Sequence, residues 1–154
     1  MDQNRLNEVL QRNVAELSKL SQREREMMPK GTAPLPSVEE VRQIVSLCKD
    51  IIFTDYFHKR QSDEQQRSYH IGVSIEELYC LLRRQIARGL QFCEECPEND
   101  VIQEAEELAL KFIEQLPEVK RLLYTDVEAM FQSDPAATNY GEVIYCYPVM
   151  NTMT

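Results

Sequence analysis

Residues 37–52, SVEEVRQIVSLCKDII, open with Ser37 and, three residues on, Glu40. This S-x-x-E spacing is the sequence signature of a capping box, in which the two side chains satisfy otherwise unpaired N–H groups at a helix start. Val38, Val41, Ile44, Val45, Cys48, Ile51 and Ile52 follow at helical spacing and give one wide apolar face. The same signature stands at Ser74 and Glu77, ahead of Ile75, Leu78, Tyr79, Leu82, Ile86 and Leu90. It stands a third time at Thr125 and Glu128, heading the run TDVEAMFQS. Three start signals, each before an apolar run, predict an all-α chain folded as a multi-helix bundle. The composition agrees, since four glycines are too few for the turns of a β-rich domain.

Outward from these runs, the other boundaries follow from proline, glycine and periodicity. Asn4 to Met28 reads as one helix in which Leu6, Leu10, Leu17 and Leu20 lie on a heptad seam around Asn13. Pro29 and Gly31 stop it, and residues 29–36 form a linker. The chain is expected to divide into an N-terminal helical arm and linker, residues 1–33, and a helical domain, residues 34–154. Residues 58–68 are polar and read as a loop or a solvated helix end. A helix stops near Pro97 and another starts at Asp100, carrying Val101, Ile102, Ala105, Leu108, Ala109, Phe112, Ile113 and Leu116. Pro117 is expected in the first turn of a further short helix, where its missing N–H costs nothing. That run ends at Asp134-Pro135, because proline pushes the residue before it away from the helical region. Val143 to Tyr147 is open between strand and buried helical turn, and Pro148 looks like the first residue of another helix.

Charge narrows the function. A net charge of −9 speaks against nucleic acid, which requires a basic face, and against an anionic membrane surface. No apolar run approaches the ~20 residues of a membrane span, and the N-terminus lacks the apolar core of a secretory signal. Five cysteines outside any short secreted framework point to reduced thiols and a cytoplasmic setting.

Few constellations carry chemistry. Cys93 and Cys96 form a lone CxxC. A structural zinc site needs four ligands, and Cys48, Cys80 and Cys146 lie apart in apolar contexts. The pair is read as incidental, with a metal or redox role as the weaker option. His58 and His70 flank a polar stretch with no carboxylate at metal spacing, so no metal site is expected. There is no nucleophile elbow, phosphate loop or dinucleotide fingerprint. By itself the sequence contains no recognisable catalytic machine, which leaves a non-catalytic helical interaction module as an alternative reading.

Residues 126–150, DVEAMFQSDPAATNYGEVIYCYPVM, are more specific. Asp126 is followed eight residues later by Asp134-Pro135-Ala136-Ala137, then by the apolar run at Glu142-Val143-Ile144 and the turn at Tyr147-Pro148. This order resembles the end of the helical domain of serine O-acetyltransferases. LPSVEEVRQIV with FTDYF, YHIGVSIEELYCLLRRQI and LPEVKRLLYTDVEAMF resemble the preceding helices, so the likeness spans residues 34–154. Val149 stands where the family usually has glycine, so the local turn is expected to differ.

The resemblance implies the N-terminal helical domain of an enzyme that moves acetyl from acetyl-CoA to the hydroxyl of L-serine, giving O-acetylserine on the way to cysteine. It implies that catalysis belongs to a left-handed β-helix of hexapeptide repeats, none of which occurs here. This chain then holds no catalytic residue and is inactive alone. Acetyl-CoA would be a co-substrate, and no cofactor is implied. One substrate-binding residue maps onto the chain: Asp134, whose carboxylate would meet the serine ammonium in a charge-assisted hydrogen bond. Without the resemblance, Asp134 is only the turn former that Asp-Pro often is. The family's assembly implies a homo-oligomer, a dimer for this chain and a trimer or hexamer for the whole enzyme. It also implies O-acetylserine sulfhydrylase as a partner gripping a C-terminus not included here.

Overall fold

The computed structural model describes residues 3–29, 34–57, 63–93 and 98–148. Among these the secondary structure is helical throughout, with no strand. The helices are α1 (Gln3–Leu17), α2 (Gln22–Met27), α3 (Val38–Ile52), α4 (Thr54–Phe57), α5 (Glu64–Cys93), α6 (Glu98–Ser133) and α7 (Tyr140–Cys146). The chain divides into two compact units between Thr32 and Ala33.

In the first unit, the single helix expected over 4–28 is two helices. The Ser18 hydroxyl bonds back to the Val14 carbonyl at 2.6 Å as α1 ends. Ser21 then starts α2 with a complete capping box. Glu24 N–H donates to Ser21 Oγ at 3.2 Å, and Ser21 N–H donates to Glu24 Oε2 at 2.7 Å. The S-x-x-E pattern was present there too, hidden within a heptad seam that runs across the break. No residue of α1 or α2 is buried, and Leu17 is 83% exposed.

The second unit is built on α3, α5 and α6. Cys48 and Ile51 from α3, Leu78 and Leu82 from α5, and Ala109 and Leu116 from α6 form its central apolar cluster. Ala105 and Ala109 are fully buried, and side chains this small allow α6 to approach its neighbours closely. A second cluster, toward the end of α6, joins Ile52, Phe53, Leu123, Val127, Val143 and Ile144. Polar bonds align α3 on α5. Glu40 Oε2 accepts from Arg84 Nε at 3.0 Å, from Arg88 Nη1 at 3.2 Å and from the Gln85 amide. Ser37 caps α3 through Glu40 N–H, as the sequence predicts. The reciprocal half of that box is absent, because Ser37 N–H donates to Gln85 Oε1 at 2.7 Å and Glu40 serves α5.

The other two expected starts are not helix starts. Ser74 is buried in the middle of α5, with its hydroxyl 3.5 Å from Asp50 Oδ2. α5 begins ten residues earlier, at Glu64, where Asp63 Oδ1 accepts from Gln66 N–H at 2.8 Å. Thr125 lies inside α6 and bonds back to the Leu122 carbonyl at 2.6 Å, a common use of a mid-helix hydroxyl. Pro117 does not open a helix either. α6 runs through it for 36 residues, two residues ahead of the expected Asp100 start and on to Ser133. Buried Leu116 and Leu123 on either side hold the helix against the core, and this packing outweighs the ~3 kcal/mol that a proline costs in a helix interior. The ambiguous stretch at Val143 is helical, as α7. Residues 58–62, His58 among them, residues 94–97, with Cys96 of the CxxC, and residue 149 onward lie outside the described residues.

Candidate functional site

Asp134 sits at the corner where α6 gives way to α7. Its N–H makes the last bond of α6, to the Met130 carbonyl at 3.1 Å, and Pro135 then prevents the helix from continuing. The chain turns at once: Ala137 N–H donates to the Asp134 carbonyl at 3.1 Å, and Ala136 N–H donates to Asp134 Oδ1 at 2.9 Å. The side chain thus imitates a backbone turn, the habit that makes Asp-Pro a turn former.

Asn139 caps α7. It is in extended backbone, and its Oδ1 accepts from Glu142 N–H at 2.9 Å. Glu142 reaches back one residue beyond the usual box partner. Its Oε2 accepts from Thr138 N–H at 2.9 Å and from Thr138 Oγ1 at 2.7 Å. A Cβ on Gly141 would lie 3.0 Å from Asn139 Oδ1 and 3.4 Å from a Tyr56 ring carbon, so any larger residue here would press on the cap's acceptor. Val143 and Ile144 then bury α7 in the second cluster. Tyr147, which ends α7, packs against that cluster and directs its phenol back across the corner to donate to Asp134 Oδ2.

Asp134 is half-buried and each of its oxygens has one donor. A carboxylate can accept about four hydrogen bonds, so capacity remains for a further cationic donor. The Tyr147 hydroxyl, and secondly the Ala136 N–H, hold its carboxyl below the ordinary carboxylate value. The same bond pushes the Tyr147 phenol up to about 12. Glu142 is also held low by its two bonds from Thr138, against the opposing negative charge of Asp134. At neutral pH the corner therefore carries two anionic carboxylates with separate donors. This geometry can bind and orient a cation.

Asp134 is the one substrate-binding residue expected from the sequence. Its donor Tyr147 was not foreseen, nor was the neighbouring Glu142–Thr138 pair, although Asn139 and Glu142 repeat the spacing of a cap. A cleft of about 640 Å³ lies beside α7, lined by Tyr56, Lys120, Tyr124, Val127, Tyr140 and Ile144 among others. Asp134 does not line it, and its walls are mainly aromatic and aliphatic. The cleft has the size of a ligand pocket, but the anionic chemistry is at the corner. Among the described residues no group of three or more His, Cys, Asp or Glu comes together as a metal site. No described helix is long and apolar enough to cross a membrane.

The fold and the corner define a helical domain that presents a fixed carboxylate. No protein-family model matches the chain. In sequence it is similar to the plasmid serine acetyltransferase of Synechococcus elongatus, with 34% identity over 127 residues. The match takes in 79% of this chain, and the chain spans about 40% of the length of that relative. The chain is thus similar to a serine acetyltransferase along most of its own length, the family that the Asp-Pro-Ala-Ala segment resembles.

Proposed function

We propose that this chain is the helical domain of a serine O-acetyltransferase and that Asp134 binds the ammonium of the L-serine substrate. The observation that carries the reading is the similarity to a serine acetyltransferase over 79% of the chain. The anionic corner supports the residue assignment, since an α-ammonium calls for a pre-oriented carboxylate and gains a charge-assisted bond from it.

In the proposed reaction the serine hydroxyl oxygen attacks the thioester carbonyl of acetyl-CoA. A C–O bond forms, the C–S bond breaks, and coenzyme A leaves as its thiol after the hydroxyl proton has been taken by a general base and passed on. The base and the acetyl-CoA site belong to polypeptide outside these 154 residues, so the chain alone has no transferase activity. Asp134 contributes by binding and orienting serine. The setting proposed is the cytoplasm.

The second proposed task is assembly. Leu6, Leu10, Val14 and Leu17 leave an apolar face of α1 exposed within its unit, and a second copy of this chain is the proposed cover, giving a dimer. In the whole enzyme the order would be trimer or hexamer, with O-acetylserine sulfhydrylase as a further partner.

The test is Asp134→Asn in the full-length transferase. The amide keeps the shape and removes the charge. The KM for serine should rise at least tenfold, consistent with loss of a charge-assisted bond of ~1.5–3 kcal/mol, while the KM for acetyl-CoA stays put. An unchanged serine dependence would remove Asp134 from the site.

A further inference from the structure

We infer that Tyr147 is the positioning residue for Asp134: its phenol, packed against the apolar cluster at the end of α7, fixes the orientation in which the carboxylate meets the substrate ammonium. The inference rests on the proposed role of Asp134 and deepens it.

Three features of the corner lead there. First, the Asx-type bond from Ala136 N–H already satisfies the turn, so a carboxylate needed only for turning would require no second donor. The second donor comes from the far end of the following helix, thirteen residues along the chain. Second, the phenol is not a mobile surface group. It is partly buried and packs against the cluster that contains Val143 and Ile144, and the Tyr147 N–H closes the last turn of α7 on the Val143 carbonyl at 3.4 Å. The hydroxyl is therefore held from both sides, by the cluster behind the residue and by the carboxylate in front of it. Third, the neighbouring carboxylate has its own donors. Glu142 is held by Thr138, which leaves the phenol to Asp134.

With Oδ1 held by the backbone and Oδ2 by the phenol, the carboxylate has one preferred rotamer and its unused lone pairs have one direction. Holding a group within a fraction of an ångström of its working position is where such supports contribute most to binding and rate. The titratable groups around Asp134 are Tyr147 itself, Glu142 on the first turn of α7, and Cys146 beside Tyr147.

Tyr147→Phe keeps the ring against the apolar cluster and deletes only the hydroxyl. In the full-length transferase the serine KM should rise roughly 3- to 10-fold, with kcat changed far less and acetyl-CoA unaffected, the pattern of a loosened contact rather than a lost charge. The acidic limb of kcat/KM for serine should also move to higher pH, because the carboxyl loses the donor that holds it low. A purely structural tyrosine would not move that limb. Two outcomes overturn the inference: Asp134→Asn raises the serine KM while Tyr147→Phe does not, or Tyr147→Phe raises both substrates' KM values alike. If Asp134→Asn itself leaves the serine KM untouched, the failure lies with the role of Asp134. Carboxyl-carbon NMR of Asp134 in this chain separates the two without catalysis. Its titration should shift upward in Tyr147→Phe, and superimposable titrations would overturn the positioning role.

Discussion

The middle of the second unit and its corner are held together by different physics. Where α3, α5 and α6 meet, the contacts are aliphatic and non-directional: Cys48, Ile51, Leu78, Leu82, Ala109 and Leu116 exclude water and fill volume. At the corner a smaller apolar cluster supports a set of directional bonds, Asp134 with Ala136 and Tyr147, Glu142 with Thr138, and Asn139 with Glu142. The first region tolerates polarity poorly and responds to volume. The second responds to single donors and acceptors. A fold can be built from the first alone, whereas a binding geometry requires the second.

The largest effect should come from the middle. Leu78 has no exposed surface, so Leu78→Ala removes buried atoms and leaves a cavity in a region that cannot collapse easily. Chemical denaturation should report a loss of about 2–5 kcal/mol, a large share of the ~5–15 kcal/mol typical of a domain. A loss under ~1 kcal/mol would mean that the three-helix contact is looser than its burial implies.

The same division explains what could be read from the sequence. The apolar faces of α3, α5 and α6 were legible because volume-filling contacts repeat at helical spacing, and Ile51, Leu78, Leu82, Ala105, Ala109 and Leu116 all fell where periodicity placed them or beside it. Start signals were less reliable. Of the three S-x-x-E patterns chosen, only the one at Ser37 caps a helix, because Ser74 and Thr125 satisfy their hydroxyls inside helices that packing had already extended. The complete box at Ser21 was passed over for the heptad seam. Pro117 misled for the same reason: a local penalty was outweighed by burial on both sides of it. At the corner, Asp134 stood out as a candidate through its resemblance to a known segment. Tyr147 was not, since a hydrogen bond across thirteen residues leaves no periodic trace.

A smaller effect is expected at the first turn of α7. Asn139→Ala removes the side-chain acceptor for Glu142 N–H, which should cost about 1 kcal/mol, less than the cavity at Leu78. Its signature should be local. Amide exchange should quicken across 140–146 while the amides of α5 around Leu78 keep their protection. Uniform loss of protection would show that the corner and the middle form one cooperative unit, and the contrast between them would fail as a description of stability.

Acid should separate the regions most gently. Asp134 and Glu142 both have carboxyls lowered in the folded state, from ordinary values of 3.8 and 4.5. The unfolded chain then takes up protons first, so the contribution of these bonds is complete above the ordinary carboxyl range. It is lost as pH falls below 4.5 and through the lowered folded values. The clustered side chains of Ile51, Leu78, Leu82, Ala109 and Leu116 carry nothing that ionises there. In an NMR titration from pH 6 downward, a range chosen as roughly bracketing carboxyl ionisation, the signals of Ala136, Thr138 and Tyr147 should move before those of Leu78 and Ala109. Simultaneous movement would place the acid sensitivity in the bundle as a whole. A corner that stays unchanged well below the ordinary carboxyl range would mean that its donors hold the carboxylates by geometry alone, with shape rather than charge fixing the turn.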